Sequence, residues 1–369
     1  MRDVCVTGAT GFVGAHVTQR LAERGDRVRA GYRNAARLAL LDGIEVQPVE
    51  GDVRDLNAMR RAVRGCEVLF HVAGLVASRP IAKVWEINAE SPLVAVEAAS
   101  FEGVRRVVLT STISAIGPAD GFPAAEDNPY PEAGLGLVYA DSKRAGERAA
   151  LAAGRRLGVE VVVVNPAYVL GVPVDRRQPG ETSTRIVGNF LRGRLPAVID
   201  TPMSFVDAAD VAEGHLLAAE HGRAGERYIL GGHNCDWAEL IDKVARAAGL
   251  ERTLLVVPRE IAVLGRLRER LGLPGPISAE AYSLMGQDWR FSSDKALREL
   301  GYRTRPLTET VEATTSWYLE LMAAGAFDGA RSSPLSLAAG GLEAADRLGL
   351  LWGLRPAQAL LGRRLVAGR

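Results

Sequence analysis

The chain has 369 residues, of which 47% carry hydrophobic side chains, enough to bury a large core shared by two or three structural units. Its formal charge is +1 with acids and bases interspersed, which excludes the basic stripe that a nucleic-acid partner requires. Cys5, Cys66 and Cys235 stand far apart without a Cys/His cluster, which excludes a disulfide framework and a zinc site and fits a reducing cytoplasm.

Arg2 and Asp3 lead directly into the first apolar stretch, and no run reaches about eighteen apolar residues. Neither a secretion signal nor a membrane span is therefore expected. The first predicted element is a strand over Val4–Val6, followed by Gly8, Gly11 and Gly14 and then a helix continuing to about Gly25. Glycines suit a sharp strand-to-helix turn whose first backbone N–H groups face a pyrophosphate, where a Cβ would stand in the way. Glycine is common here, 40 of 369 residues, so the spacing alone also fits an ordinary turn.

Further strands are predicted at Val28–Tyr32, Glu45–Val49, Val68–His71, Val107–Leu109 and Val161–Val164, with helices over 12–24, 55–64, 82–102 and 138–157. This alternation predicts an α/β fold with a Rossmann-type doubly wound parallel sheet. Residues 1–165 form the dinucleotide-binding core, 166–328 a smaller α/β substrate-binding region with elements returning to the core, and 329–369 a helical extension.

The end of the second strand bears on the cofactor. An acid there accepts from the ribose 2′-hydroxyl of NAD, whereas a 2′-phosphate calls for an arginine. The segment reads VRAGYRN, with no acid and with Arg33, so NADP(H) is preferred over NAD(H). The alternative is a solvated surface arginine. Asp52 and Val53 follow the third strand, and Val72, Ala73 and Gly74 follow the fourth, both facing the cofactor crevice of such a sheet. Asp52 either accepts from the adenine amino group or caps the helix that starts near Asp55. His71, within VLFHVAG, is read as packed beside the cofactor, and Asn88 as helix-interior packing.

Residues 105–117, RRVVLTSTISAIG, read as a buried strand ending in Thr110, Ser111, Thr112 and Ser114. About twenty-five residues on stands Tyr139-Ala-Asp-Ser-Lys143, on a helix whose polar side is assigned Arg144, Glu147 and Arg148. Tyrosine and lysine four apart share one helix face. A neighbouring ammonium and a positive nicotinamide ring favour phenolate and so equip a phenol for acid–base work near neutral pH. Lysine also anchors the nicotinamide ribose, and a strand-end hydroxyl polarises the substrate oxygen. An isolated Tyr-x-x-x-Lys also occurs on ordinary amphipathic helices.

VTGATGFVG, GDVRD, HVAG, LTSTISAIG and YADSKRAGE, in that order, resemble the extended short-chain dehydrogenase/reductase superfamily, within its NAD-dependent epimerase/dehydratase group, over residues 1 to about 325. The resemblance implies catalytic Tyr139 and Lys143 with a hydroxyl partner. Aligning on Gly117 puts that partner at Thr112, where serine is more usual, with Ser111 as second candidate. It also implies a cofactor held by Gly8, Thr10, Gly11, Phe12, Val13 and Gly14 and approached by Pro166, and homodimers joined through the helices near 82–102 and 138–157.

Farther on, Val198–Ile199 and Ser204–Val206 read as strands, and Asp207 as the N-cap of a helix to about His221. The passages over 193–232 and 290–307 look most like dihydroflavonol-reductase-like and hopanoid-associated sugar-epimerase-like members of the group. They imply a ketone/alcohol or sugar substrate. Arg185, Arg192 and Arg290 are the candidates to bind a sugar-nucleotide diphosphate, but an Arg-Pro-Gly-Asp-like segment is missing, which favours a ketone/alcohol oxidoreductase over an epimerase. A dinucleotide-sensing protein without turnover is the remaining class, disfavoured by the intact Tyr-x-x-x-Lys. In the extension, Leu342, Leu348, Leu351, Trp352 and Leu361 suggest apolar-faced helices. Docking on this chain or on a partner subunit is the favoured role, with peripheral membrane contact as the alternative.

Overall fold

The computed structural model describes residues 1–177, 183–260, 284–327, 334–352, 354, 357–358 and 362–368. In the first half, strands β1 (Asp3–Thr7), β2 (Arg27–Tyr32), β3 (Gln47–Glu50), β4 (Val68–His71), β5 (Arg106–Thr110) and β6 (Glu160–Pro166) alternate with helices. These helices are α1 (Phe12–Glu23), α2 (Leu56–Val63), α3 (Ile81–Trp85), α4 (Ser91–Phe101) and α5 (Val138–Leu157). The second half adds β7 (Tyr168–Leu170), α6 (Arg185–Leu191), β8 (Ala197–Asp200), β9 (Pro202–Asp207), α7 (Ala208–His221), β10 (Arg227–Leu230), β11 (His233–Asp236), α8 (Trp237–Ala248) and β12 (Leu254–Pro258). Helices α9 (Asp294–Leu300), α10 (Leu307–Ala323) and α11 (Pro334–Arg347) and the short strand β13 (Val366–Ala367) follow.

The central sheet has seven parallel strands in the order β10-β6-β5-β4-β1-β2-β3. Its residues alternate by face, as period-2 side chains must. Val4, Val6, Phe70, Val108, Val162 and Val164 join the core that α1 and α7 cover. Cys5, Leu69, Val107, Leu109, Val161 and Val163 join the core on the other face, where α2, α4 and α5 pack. A strand buried on both faces reads as a continuous apolar run, which is why these strands were legible in the sequence. The seventh strand, β10, lies far along the chain and pairs with β6, Ile229 opposite Asn165, so part of the second half completes the first.

The predicted continuous helix over 82–102 is three pieces, because a wide five-residue turn, Glu86–Glu90, separates α3 from α4. There the Asn88 carbonyl lies against α5 so closely that a Cβ on Gly146 would overlap it.

Two smaller three-stranded sheets, β11-β9-β7 and β13-β12-β8, build the second half. The second is closed by the far end of the chain: β13 runs antiparallel to β12, and Asp242 on α8 accepts from the Arg364 guanidinium and from the Gly368 N–H. The extension thus docks on its own chain, but with a different set of side chains than expected. Leu342 and Leu351 are half-buried, Leu348 and Trp352 are exposed, and Leu361 lies outside the described residues. Among the described residues no helix is long and apolar enough to cross a membrane.

A Cβ on Gly14 would overlap the Gly8 carbonyl oxygen, backbone against backbone, where nothing nearby can swing aside. Gly14→Ala should therefore destabilise the fold by about 3 kcal/mol. Urea unfolding of the variant beside wild type checks this, and an unchanged midpoint would contradict the crowding.

Candidate active site

The sheet order reverses between β1 and β4, whose chain continuations run to opposite sides, and such a switch point opens a crevice at the carboxyl ends of the strands. Gly8, at φ +67°, turns the chain there, and a Cβ on it would lie 2.8 Å from the Ala73 backbone. The crowding that requires glycine at positions 8 and 14 therefore comes from the protein's own backbone. This corrects the expectation that a bound pyrophosphate demands glycine there. Gly11 is looser, its nearest neighbour being the Gly8 carbonyl oxygen at 3.1 Å from an added Cβ.

Helices α2, α7 and α8 each begin on an aspartate, Asp55, Asp207 and Asp236, whose carboxylate accepts from first-turn N–H groups. Helix α1 begins on Gly11 with no side-chain cap. Uncapped donors and the positive end of the helix dipole favour an anion, so the turn Thr10–Val13 fits a dinucleotide's pyrophosphate. Val72, Ala73 and Gly74 close the opposite side of the crevice, next to the end of β4, and Pro166 ends β6.

Arg33 follows β2, exposed and without an ion pair among the described residues. Asp52 does not cap α2, since Asp55 does so. Its carboxylate instead accepts from the backbone N–H and guanidinium of Arg54. Arg54 chiefly, with a smaller contribution from Arg33, holds Asp52 down at about 2, so it presents a carboxylate beside that crevice end.

The four hydroxyls after β5 separate by direction. Thr110 Oγ1 lies 2.8 Å from His215 Nε2. His215 Nδ1 is 2.7 Å from the Val211 carbonyl, to which it can only donate, so Thr110 is the donor to Nε2. Ser111 faces the Glu147 carboxylate. Thr112 faces the Tyr139 hydroxyl and pulls the phenol's pKa down, and its own oxygen accepts from the Ser114 N–H at 3.2 Å. Of the two candidate partners, Thr112 is therefore the one set against Tyr139.

Tyr139 and Lys143 occupy successive turns of α5, Tyr139 half-buried and Lys143 buried. Burial pushes the phenol up to about 12, opposed by Thr112. The expected lowering by lysine is not seen; Lys143 Nζ donates to the Thr110 carbonyl oxygen at 2.9 Å. Burial pushes the ammonium itself down to about 8, while Glu147 holds it up. A Cβ on Gly74 would lie 2.8 Å from that Nζ, so Gly74 leaves the lysine uncovered on the crevice side.

Glu147, assigned to a polar helix face, is 1% exposed and faces inward. Its Oε1 accepts from Asn165 Nδ2 at 2.6 Å, and its Oε2 lies 3.3 Å from the Arg227 guanidinium. The same Asn165 amide donates to the Thr112 carbonyl at 2.9 Å, so one side chain ties the glutamate to the residue facing Tyr139. The periodicity was readable, since 139, 143 and 147 share a face. Glu147 alone was grouped with Arg144 and Arg148 on the polar side, because a glutamate is rarely fully buried without a partner, and the partner, Arg227, comes from β10.

Asn88 also does more than pack. Its amide takes the Leu75 N–H and donates to the Leu75 carbonyl, each at 2.9 Å, and donates to Ser142 on α5, clamping the loop after Gly74 to the Tyr139 helix. His71 is enclosed, as expected: its ring nitrogens meet Thr7 and Ser91 hydroxyls at 3.0 and 3.1 Å. Ser91 spends its proton on the Ile87 carbonyl, which assigns the His71 proton to Nε2. Burial and then the Lys143 charge push that imidazole down to about 3, so it stays neutral.

The loop before α5 is tied to the helix by Asp141. Its carboxylate accepts from the Tyr130 hydroxyl and from the Leu135 and Leu137 N–H groups, at 2.6, 2.8 and 3.1 Å. Two of the three cations considered for a sugar diphosphate are engaged elsewhere. Arg290 is paired with Asp288, and the Arg192 guanidinium lies 4.0 Å over the Phe327 ring.

Residues 4–231 match the model of the NAD dependent epimerase/dehydratase family. A Synechocystis sp. protein named for dihydroflavonol 4-reductase is 31% identical over 325 residues, covering 85% of this chain and 93% of that one. Sterol demethylase protein B of Methylococcus capsulatus is also 31% identical, over 324 residues, 85% of this chain and 98% of that one. Among solved structures, PA4631, a nucleoside-diphosphate-sugar epimerase from Pseudomonas aeruginosa, superposes with a TM-score of 0.71 at 26% identity, over 89% of this chain and 99% of that one. The seven-stranded parallel sheet, the uncapped glycine turn and the matched sequence together make this chain a member of the NAD-dependent epimerase/dehydratase family.

Proposed function

We propose that the protein is an NADP(H)-preferring reductase, working reversibly between a ketone and a secondary alcohol on a low-polarity ring molecule. The observation that carries this reading is the convergence of Thr112, Tyr139 and Lys143 at the carboxyl end of β5. The nicotinamide supplies the hydride. Thr112 orients the substrate oxygen, and Tyr139 gives that oxygen its proton as the carbonyl becomes an alcohol. Thr112, the group that lowers the phenol's pKa, eases the loss of that proton, and Lys143 would hold the nicotinamide ribose from the floor near Gly74. Glu147 keeps Lys143 charged, and Asn165 keeps Thr112 in place.

Several observations favour a ketone over a sugar nucleotide. Two relatives with high coverage carry the names of a dihydroflavonol reductase and a sterol demethylase protein, both naming ring molecules and neither a sugar nucleotide. The engagement of Arg192 and Arg290 weakens the diphosphate alternative. Preference for NADP(H) rests on Arg33, exposed at the end of β2 and free of an ion pair among the described residues.

With a panel of ring ketones, one NADPH should be consumed per alcohol formed, and Tyr139→Phe should lower kcat by a factor of about 100 to 10,000. Isomerisation without net NADPH consumption would support the epimerase reading, and full activity in the phenylalanine variant would overturn both. Arg33→Ala should weaken NADPH binding about tenfold and leave NADH binding unchanged; titration by quenching of protein fluorescence measures both, and an equal loss refutes the assignment. Glu147→Gln keeps the hydrogen-bond acceptor and removes the charge that holds the Lys143 ammonium up. The alkaline limb of its kcat–pH profile should therefore move to lower pH, while Glu147→Asp should leave it in place. A limb that stays put in the glutamine variant would remove Glu147 from the account.

A further inference from the structure

We propose that the outer face of α11 and the turn after it dock on a lipid bilayer with anionic headgroups. A helix lying on a protein surface normally turns its apolar stripe inward and its charges to water. Helix α11 departs from this by turning its two acids inward and leaving leucine outside. Its inward side carries both of its acids: Glu343 is ion-paired with Arg252 at 2.9 Å and Asp346 accepts from the Thr253 hydroxyl, with Ala339 buried one turn before Glu343 and Leu342 half-buried beside it. Its outward side runs Leu337, Gly341, Ala344 and Leu348, at steps of four, three and four residues, all exposed and none charged.

Past the helix the same character intensifies. Leu348, Leu350 and Trp352 fall within five residues and are 75%, 69% and 76% exposed. Side chains this open project from the surface instead of lining a groove. Projecting apolar groups enter the boundary between headgroups and acyl chains without needing a partner of matching shape, and tryptophan is favoured at that depth. A protein partner would instead have to enclose them.

Charge points the same way. Residues 331–369 hold six arginines and two acids, and both acids are turned toward the chain. Arg363 and Arg364 are paired with Glu260 and Asp242, whereas Arg347, beside Leu348, is exposed. A guanidinium among apolar side chains suits the phosphates of an anionic leaflet. The patch also stands on a fixed base, because β13 is paired into the β12 sheet and Asp242 holds both Arg364 and Gly368.

This inference does not depend on the hydride-transfer reading, since docking requires no substrate. The test is co-sedimentation of the full chain with vesicles of phosphatidylcholine, with and without phosphatidylglycerol. Wild type should pellet with the phosphatidylglycerol vesicles, less with phosphatidylcholine alone or at high salt. Leu348→Ser combined with Leu350→Ser and Trp352→Ser should lower the bound fraction by at least about tenfold. Circular dichroism and unchanged NADPH binding establish that the variant is folded. Should the triple variant unfold, quenching of wild-type tryptophan fluorescence by lipids with brominated acyl chains carries the same test, and Trp352→Phe should remove that quenching. Equal partitioning of wild type and variant, or no binding by either, overturns the proposal. So does a wild-type dimer in light scattering that the triple variant turns into a monomer without vesicle binding, because a second copy of the chain then covers the patch.

Discussion

The site depends on the burial of two charges on consecutive turns of α5. Lys143 and Glu147 both lie inside the protein, 6% and 1% exposed, and neither is tolerable there alone. Lys143 is satisfied by the Thr110 carbonyl at the end of β5, and Glu147 by Asn165 from β6 and Arg227 from β10. Removing one partner of such a buried set costs about 3–5 kcal/mol, so α5 has one acceptable position over the sheet. That position fixes where the Tyr139 phenol stands.

The arrangement also explains why the second half of the chain returns to the first. Strand β10 is an edge strand, yet it supplies Arg227, whose guanidinium reaches both Glu147 and the Glu126 carbonyl. Glu126 in turn accepts the Ile229 N–H at 2.8 Å, so the loop before α5, the edge strand and the helix hold one another. The second half is therefore joined to the Tyr139 helix through polar side chains as well as through the chain itself.

Much of the fold was legible because β-branched runs buried on both faces leave a continuous apolar signature, and β1, β4, β5 and β6 announced themselves that way. β10 did not, since RYIL is short and begins on an arginine whose partner lies 80 residues earlier. Tyr139, Lys143 and the glycines were legible from spacing. Glu147 was misassigned because a burying partner cannot be seen from one helix, and Asp52 stayed between two readings because two aspartates three apart compete for the same cap, which Asp55 takes. Leu348 and Trp352 were placed on a buried stripe because apolar periodicity says which residues share a face, while only packing says where that face points.

Asp141 lies two residues beyond Tyr139 and gathers three donors from the preceding loop. A bulky molecule that displaced this loop would have to break those bonds and would tug on the first turn of α5, where the phenol is carried. Crowding against this loop would then register at the phenol as well as in affinity, and the loop's fit to its guest becomes part of how the Tyr139 hydroxyl is aimed.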